Sequence, residues 1–338
     1  MNGPTPTRVA ARSQIAGSAG AWRLSRAGPA PGQRLPLDPR RLACDNRAPL
    51  PLRPQTTILL AGALFATGGA LIKCCEFPSL QRAGLRAGIA AIALFVMLPE
   101  ARRWPTARIL RLVPAYFGAT CLFVVANTLT TAANAIFLQS TAPLWIILCG
   151  PLLLHERPRR SELLVLLCIA AGMTMFFLAP TEVIATAPDP RLGDWLAIAS
   201  GVSYALLLVG MRWLGKAGNG EACAAIAWGN ALTMPLSFAL MPAVGQTPML
   251  GTWQDWLVIV VLGVFQVGLA YALLVRSMAA VPAVQASLLL MIEPSLSPLI
   301  AFAVHGETPA PLALAGGALI LGAVIGGSVL GRRTTDAA

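Results

Sequence analysis

The sequence predicts an all-α polytopic membrane protein whose ten transmembrane helices form two inverted five-helix repeats. Three observations predict it: a scarcity of charge, ten apolar runs of bilayer-crossing length, and a duplicated segment five runs apart. Of 338 residues, 56% are hydrophobic and only 12% charged, against about 25% charged in ordinary soluble domains. A surface so poor in charge cannot face water on all sides.

A bilayer core about 30 Å thick takes roughly 20 apolar residues per spanning helix. The runs that qualify are 56–73, 83–99, 110–129, 133–154, 161–179, 193–213, 222–244, 254–275, 283–304 and 311–331. They are continuously apolar, whereas barrel strands alternate over about ten residues. Helices and closed barrels are the two structures that satisfy the backbone in lipid, so these runs are expected to be helices. Residues 1–53 differ in kind. Nine arginines, two aspartates and abundant Ala, Gly and Pro without an apolar run have the composition of a disordered tail. They lack the apolar core of a secretory signal, and sparse Ser with abundant Pro counts against an organellar transit peptide.

Basic residues collect on the cytoplasmic side of short connections. With the N-terminus inside, 21 of the 25 basic residues fall on the inner side and Lys73, Arg82, Arg86 and Arg191 on the outer. Both termini are therefore expected in the cytoplasm, with the chain in a cell inner (plasma) membrane. The net charge of +11 is then a topology signal and not a nucleic-acid footprint, because these arginines lie in a tail and in short connections. The seven cysteines show no Cys-x-x-Cys pairing and are read as small packing residues, with no metal site and no cofactor expected.

The duplication is the most specific feature. "AANAIFLQSTAPLWIILCGPLLLHERP" (132–158) lies over "AVQASLLLMIEPSLSPLIAFAVHGETP" (283–309) at a constant shift of 151. Pro143 pairs with Pro294, Glu156 with Glu307 and Pro158 with Pro309. Each copy is the fourth run of its unit, one unit covering 56–179 and the other 193–331. Because five is odd, the second unit must cross in the opposite sense. Inverted repeats of this kind build many secondary transporters, with the substrate site near the midplane. Glu156 and Glu307 themselves are read as caps on the turn into the following helix.

With these residues on the page the chain resembles the drug/metabolite transporter superfamily, and within it the EamA-type transporters. The resemblance is carried by the paired "P…HERP" and "EP…HGETP" segments, by "TTAANAIFLQSTAPLW" (130–145) and by Arg86. It departs at His155, where a glycine usually precedes the glutamate; Gly306 keeps the pattern in the second copy. The resemblance implies ten helices in two repeats and transport of a small metabolite or drug, and leaves the substrate open.

An ionisable group within a span costs a few kcal/mol on insertion scales and defaults to a functional hypothesis. The clearest is Glu293 in "LLMIEPSLSPL" (289–299), whose repeat counterpart is Ala142. Pro294 and Pro298 remove backbone hydrogen bonds beside it. Two readings stand: Glu293 takes part in substrate or proton binding, or it is half of a buried salt bridge between the repeats. Pro143, Gln139 and Trp145 are expected to line the opposite wall, and Arg86 is a candidate partner for an anionic group or for Glu293. Asn127 and Tyr271, with Tyr116, Tyr204 and Gln266, are polar groups within spans that should face the interior. Lys73 and Glu76, three apart, are read as an interfacial ion pair, and His305 as a solvated helix end.

A secondary active transporter, proton-coupled and acting as exporter or exchanger, is the function these features favour. The partners expected are the bilayer, a small-molecule substrate and protons, but no nucleic acid, with the chain a monomer or homodimer. The competing classes are a channel-like facilitator and a non-transporting scaffold. An enzyme is disfavoured, since "HERPR" is not His-Glu-x-x-His, no Gly-rich Lys-Ser/Thr loop occurs and the chain has two histidines.

Overall fold

A computed structural model describes Met1 and residues 53–142, 144–146, 160–179, 184–215, 220–277, 289–290 and 292–335. The expectations for the tail, for Pro143 and for "HERPR" lie outside these residues. Helices make up the structure: α1 (Pro54–Lys73), α2 (Ser79–Met97), α3 (Ala107–Leu129), α4 (Ala132–Gln139), α5 (Arg160–Leu178), α6 (Pro190–Gly215), α7 (Glu221–Leu240), α8 (Trp253–Ser277), α9 (Ile292–His305) and α10 (Pro311–Thr335). Among the described residues, α1, α2, α3, α7, α8 and Pro190–Met211 of α6 are long and apolar enough to cross a bilayer. Helix α10 adds a shorter apolar stretch, Pro311–Ala323.

Local sequence fixes where several helices begin. Thr106 accepts a hydrogen bond from the Ile109 amide to start α3, and Thr131 accepts one from Asn134 to start α4. At α8, Thr252 and Asp255 bond each other's backbone amides in a capping box, which satisfies two of the amides a helix start leaves without partners. Two helices are irregular inside. Helix α1 breaks at Thr67, between Pro54–Ala66 and Gly68–Lys73. There the Thr67 hydroxyl donates to the Leu64 carbonyl at 2.7 Å. A Cβ on Gly68 would stand 2.6 Å from Gln266 Nε2, so glycine is what lets α1 and α8 meet. Helix α8 becomes π-helical over Leu262–Leu269, a form found mostly as single-turn insertions at functional sites.

The main contacts run between the two halves of the chain. Helix α3 packs on α6 and α7, α2 on α7 and α8, α1 on α8 and α9, α4 on α6 and α9, and α5 on α10. Gly84 and Gly88, four apart, pack within the bundle, since Cβ atoms there would meet Ser237 and Met234 of α7. The second glycine pair differs: a Cβ on Gly322 or Gly326 has nothing within 4 Å among the described residues.

One end of the bundle is tied by a buried ionic knot. Lys73 Nζ, at the end of α1, lies 2.6 Å from Glu307 Oε1, with both side chains under 5% exposed. It also donates to the Thr130 carbonyl at 2.8 Å and the Thr186 carbonyl at 2.6 Å. Thr186 belongs to the turn in which Ile184 pairs with Ala187. The other Glu307 oxygen accepts from the Ala132 amide at 2.9 Å. Two expectations are corrected here. Lys73 pairs with Glu307 and not with Glu76, because α1 ends against the residues following α9. Glu307 caps α4, 175 residues earlier in the chain, and not the helix that follows it. Asp194 adds a second buried carboxylate nearby, accepting from Thr130 Oγ1 at 2.7 Å and Asn134 Nδ2 at 3.2 Å. His305 is half-buried, its Nε2 2.9 Å from the Ala70 carbonyl, so it is held against α1 and is not a solvated end.

Candidate functional site

Between α1, α2, α3, α4, α6, α8 and α9 the structure leaves an internal cavity of about 90 Å³. Most of its lining residues fall within helices, while Gln139 ends α4, Ser140 follows it and Glu293 stands in the first turn of α9. Four of the residues singled out from sequence meet there: Arg86, Gln139, Tyr271 and Glu293. Tyr116, Tyr204 and Gln266, foreseen as interior polar groups, line it too.

Each polar group is held from a different helix. Arg86 of α2 is buried, and its Nη1 donates to Gln266 Oε1 at 3.3 Å, while its Nε has no partner. Gln266 comes from the π-helical stretch of α8 and its Nε2 donates to the Phe65 carbonyl of α1 at 3.4 Å. This bond reaches α1 just before the Thr67 break, so the two irregular helix segments meet at one amide side chain. Across the cavity, Gln139 Nε2 donates to Ser200 Oγ at 2.7 Å and to the Ala119 carbonyl at 3.2 Å. The Tyr116 hydroxyl accepts from Asn230 Nδ2. The Tyr116 ring lies flat enough against α7 that a Cβ on Gly229 would stand 2.7 Å from it.

The walls between these groups are aromatic. Phe65 meets Tyr271 edge-on with centroids 5.0 Å apart, and Tyr116 and Tyr271 lie 6.3 Å apart. Glu293 stands in the first turn of α9. It is partly exposed and lines the cavity. No hydrogen bond or ion pair reaches its carboxylate among the described residues, and none joins it to Arg86. The salt-bridge reading between these two groups is therefore not what the geometry offers. A cation and a carboxylate face one small space, each short of partners, where buried polar groups are almost always bonded.

Three expected residues stand elsewhere. Pro294 is buried in the first turn of α9. Trp145 packs with the cluster of α4, α5, α6 and α10, its Nε1 donating to Thr141 Oγ1 at 3.2 Å. Asn127 is fully buried beside Gly69, and both of its amide atoms lack partners. Phe65, Phe123 and Thr120 line the cavity without having been singled out. An apolar residue in an apolar helix carries no mark of which side it faces. For Phe65 the neighbouring "TGG" was the usable sign, since it marks a break.

The cysteine reading holds for Cys75, whose thiol burial pushes up to about 11, leaving it protonated and unreactive at neutral pH, but not for Cys223, which is disulfide-bonded. Among the described residues no cluster of three or more His, Cys, Asp or Glu side chains is arranged to hold a metal ion.

The model of the EamA-like transporter family matches the chain twice, over residues 54–178 and 191–328. A protein of Archaeoglobus fulgidus described as an uncharacterized transporter is 26% identical over 275 residues, which cover 80% of this chain and 94% of that protein. A solved crystal structure superposes with a TM-score of 0.60 at 22% identity, covering 83% of this chain and 98% of its own. That likeness speaks to the fold alone.

Proposed function

Because the chain belongs to the EamA-like transporter family, a multi-pass membrane transporter of the drug/metabolite type, we propose that it is a secondary active transporter whose ten helices form two inverted repeats around the central cavity. The packing supports the repeat: counting α1–α5 against α6–α10, each principal contact between the halves has a counterpart. Thus α3 on α6 answers α8 on α1, α2 on α8 answers α7 on α3, and α4 on α6 answers α9 on α1. The pairs α2–α7, α4–α9 and α5–α10 answer themselves. The two family matches, one per half, support it as well.

The single observation that carries the function is a cavity among the helices bearing Arg86 and Glu293 without an ion pair between them. A structural charge in lipid is expected to be matched on the spot, whereas a working one must be free to exchange partners. In this reading Glu293 binds and releases the coupling proton, substrate occupies the cavity in turn, and the halves rock about it. Both termini lie in the cytoplasm.

The test is reconstitution into proteoliposomes with an imposed pH gradient, comparing the native protein with Glu293→Gln. The native protein is expected to move substrate in response to the gradient, and the variant to lose that response. Gradient-driven transport of native size by Glu293→Gln would remove the carboxylate from the coupling step.

A further inference from the structure

The geometry points to a compact zwitterion as the substrate, its anionic group held by Arg86 and Gln266 and its ammonium group by Glu293. This rests on the transport reading of the cavity above and adds to it what the cavity selects. The first support is charge. Among the described lining residues Arg86 and Glu293 are the charged ones, one of each sign. A neutral substrate leaves both unanswered, and a singly charged substrate leaves one buried charge without a partner, which is the costly case. A molecule carrying both signs answers both.

The second support is the state of the donors. The Arg86 side chain is 4% exposed. Gln266 occupies Nη1 through a long bond of 3.3 Å, and Nε is unpartnered. A guanidinium so placed keeps hydrogen-bonding capacity that its protein partners do not use, and a carboxylate is the group that matches it best. Glu293, free of protein donors among the described residues, is an acceptor for the three protons of an ammonium group.

The third support is spacing. His305 touches the Ala70 carbonyl, and Arg82 Nη1 donates to the Ile72 carbonyl at 2.5 Å, so the ends of α9 and α2 sit at the same level of α1. Arg86 lies one turn beyond Arg82, whereas Glu293 lies 12 positions from His305, so their backbones differ in depth by roughly 10 Å at 1.5 Å per residue. The two charges thus recognise opposite ends of one molecule lying along the cavity, with its anionic end toward Lys73. The aromatic rings of Tyr271 and Tyr116 stand in the same cavity, and a π face gives an alkylammonium favourable contact as well.

The experiment measures binding to the full chain in detergent by calorimetry. The probes are glycine, alanine, β-alanine and γ-aminobutyrate, with propionate and propylamine as singly charged controls. At least one zwitterion is expected to bind roughly tenfold or more tightly than either control, the loss for one charged hydrogen-bonded contact. Arg86→Gln and Glu293→Gln should each erase that preference, and Arg86→Lys should keep part of it, which separates lost recognition from a misfolded variant. Binding of propionate or propylamine as tight as the best zwitterion overturns the proposal. So does zwitterion binding that survives Arg86→Gln, and so does the absence of binding by all four zwitterions. A gradient-driven flux of a singly charged or neutral compound through the native protein would overturn the substrate class while leaving the transport reading intact. Native protein that binds a zwitterion but shows no gradient-driven flux of it would do the reverse.

Discussion

The Lys73–Glu307 knot and the Arg86–Glu293 cavity are built from the same ingredients, a cation and a carboxylate carried by helices far apart in sequence. In the knot all available capacity is used: Lys73 has three acceptors, and both Glu307 oxygens have donors. In the cavity Arg86 has one side-chain partner and Glu293 none among the described residues. Burial is similar for the two cations, so burial alone does not separate a structural charge from a working one. Satisfaction does. A fully bonded pair has nothing left to offer a ligand, and its loss is felt by the fold. An unsatisfied pair costs the fold something and reserves its bonds for what enters.

The sharpest way to break that comparison is Lys73→Met. Leaving Glu307 charged and unpartnered beside a helix start should cost about 3–5 kcal/mol, read as a large drop in the thermal midpoint of detergent-purified protein. The double change Lys73→Met with Glu307→Gln should recover part of it. A single variant as stable as the native protein would mean that the knot is not satisfied in the way described. Arg86→Met is expected to behave oppositely. Removing an under-bonded buried cation should leave stability within about 1 kcal/mol of native or raise it by a few, as replacing buried charge by apolar volume often does, while ligand binding is lost. A fall as large as that of Lys73→Met would class Arg86 with the structural charges.

Smaller effects refine the boundary between the two regions. Gln139→Ala removes the bonds to Ser200 and Ala119, and should destabilise by about 1 kcal/mol because Ser200 keeps its own bond to the Ala119 carbonyl at 2.9 Å. Thr131→Ala removes the side-chain cap of α4, worth about 1 kcal/mol. The Glu307 carboxylate still holds the Ala132 amide there, so the loss should fall at the low end. In the background of Glu307→Gln the same Thr131→Ala change should cost more, and a double-mutant cycle reads the difference.

How far the sequence revealed this depends on the kind of signal. Apolar length marked the positions of the helices, because lipid imposes a single requirement on every spanning residue. The matched proline and glutamate segments pointed to the family, since that spacing is improbable by chance in apolar chains. Glu293 and Arg86 stood out because charge is rare in such helices. What was illegible depended on partners distant in the chain. Glu307 was assigned to its nearest helix, since a sequence displays neighbours and Ala132 is 175 residues away. Lys73 was given to Glu76 for the same reason. Trp145 was assigned to the cavity by helical spacing carried on from Gln139, yet α4 ends at Gln139 and Trp145, beyond that end, packs with the cluster shared by α4, α5, α6 and α10.

The Lys73–Glu307 contact joins residues 234 positions apart, and that distance is also an interval of time. At about 5–20 residues per second of synthesis, α1 has been made roughly ten to fifty seconds before the carboxylate that will neutralise its lysine exists. During that interval the nascent first half carries an uncompensated ammonium at its membrane end. It must rest where headgroups and water reach it, and the bundle cannot close over that end until α9 has arrived. The knot is therefore completed only in a chain whose second half has been made.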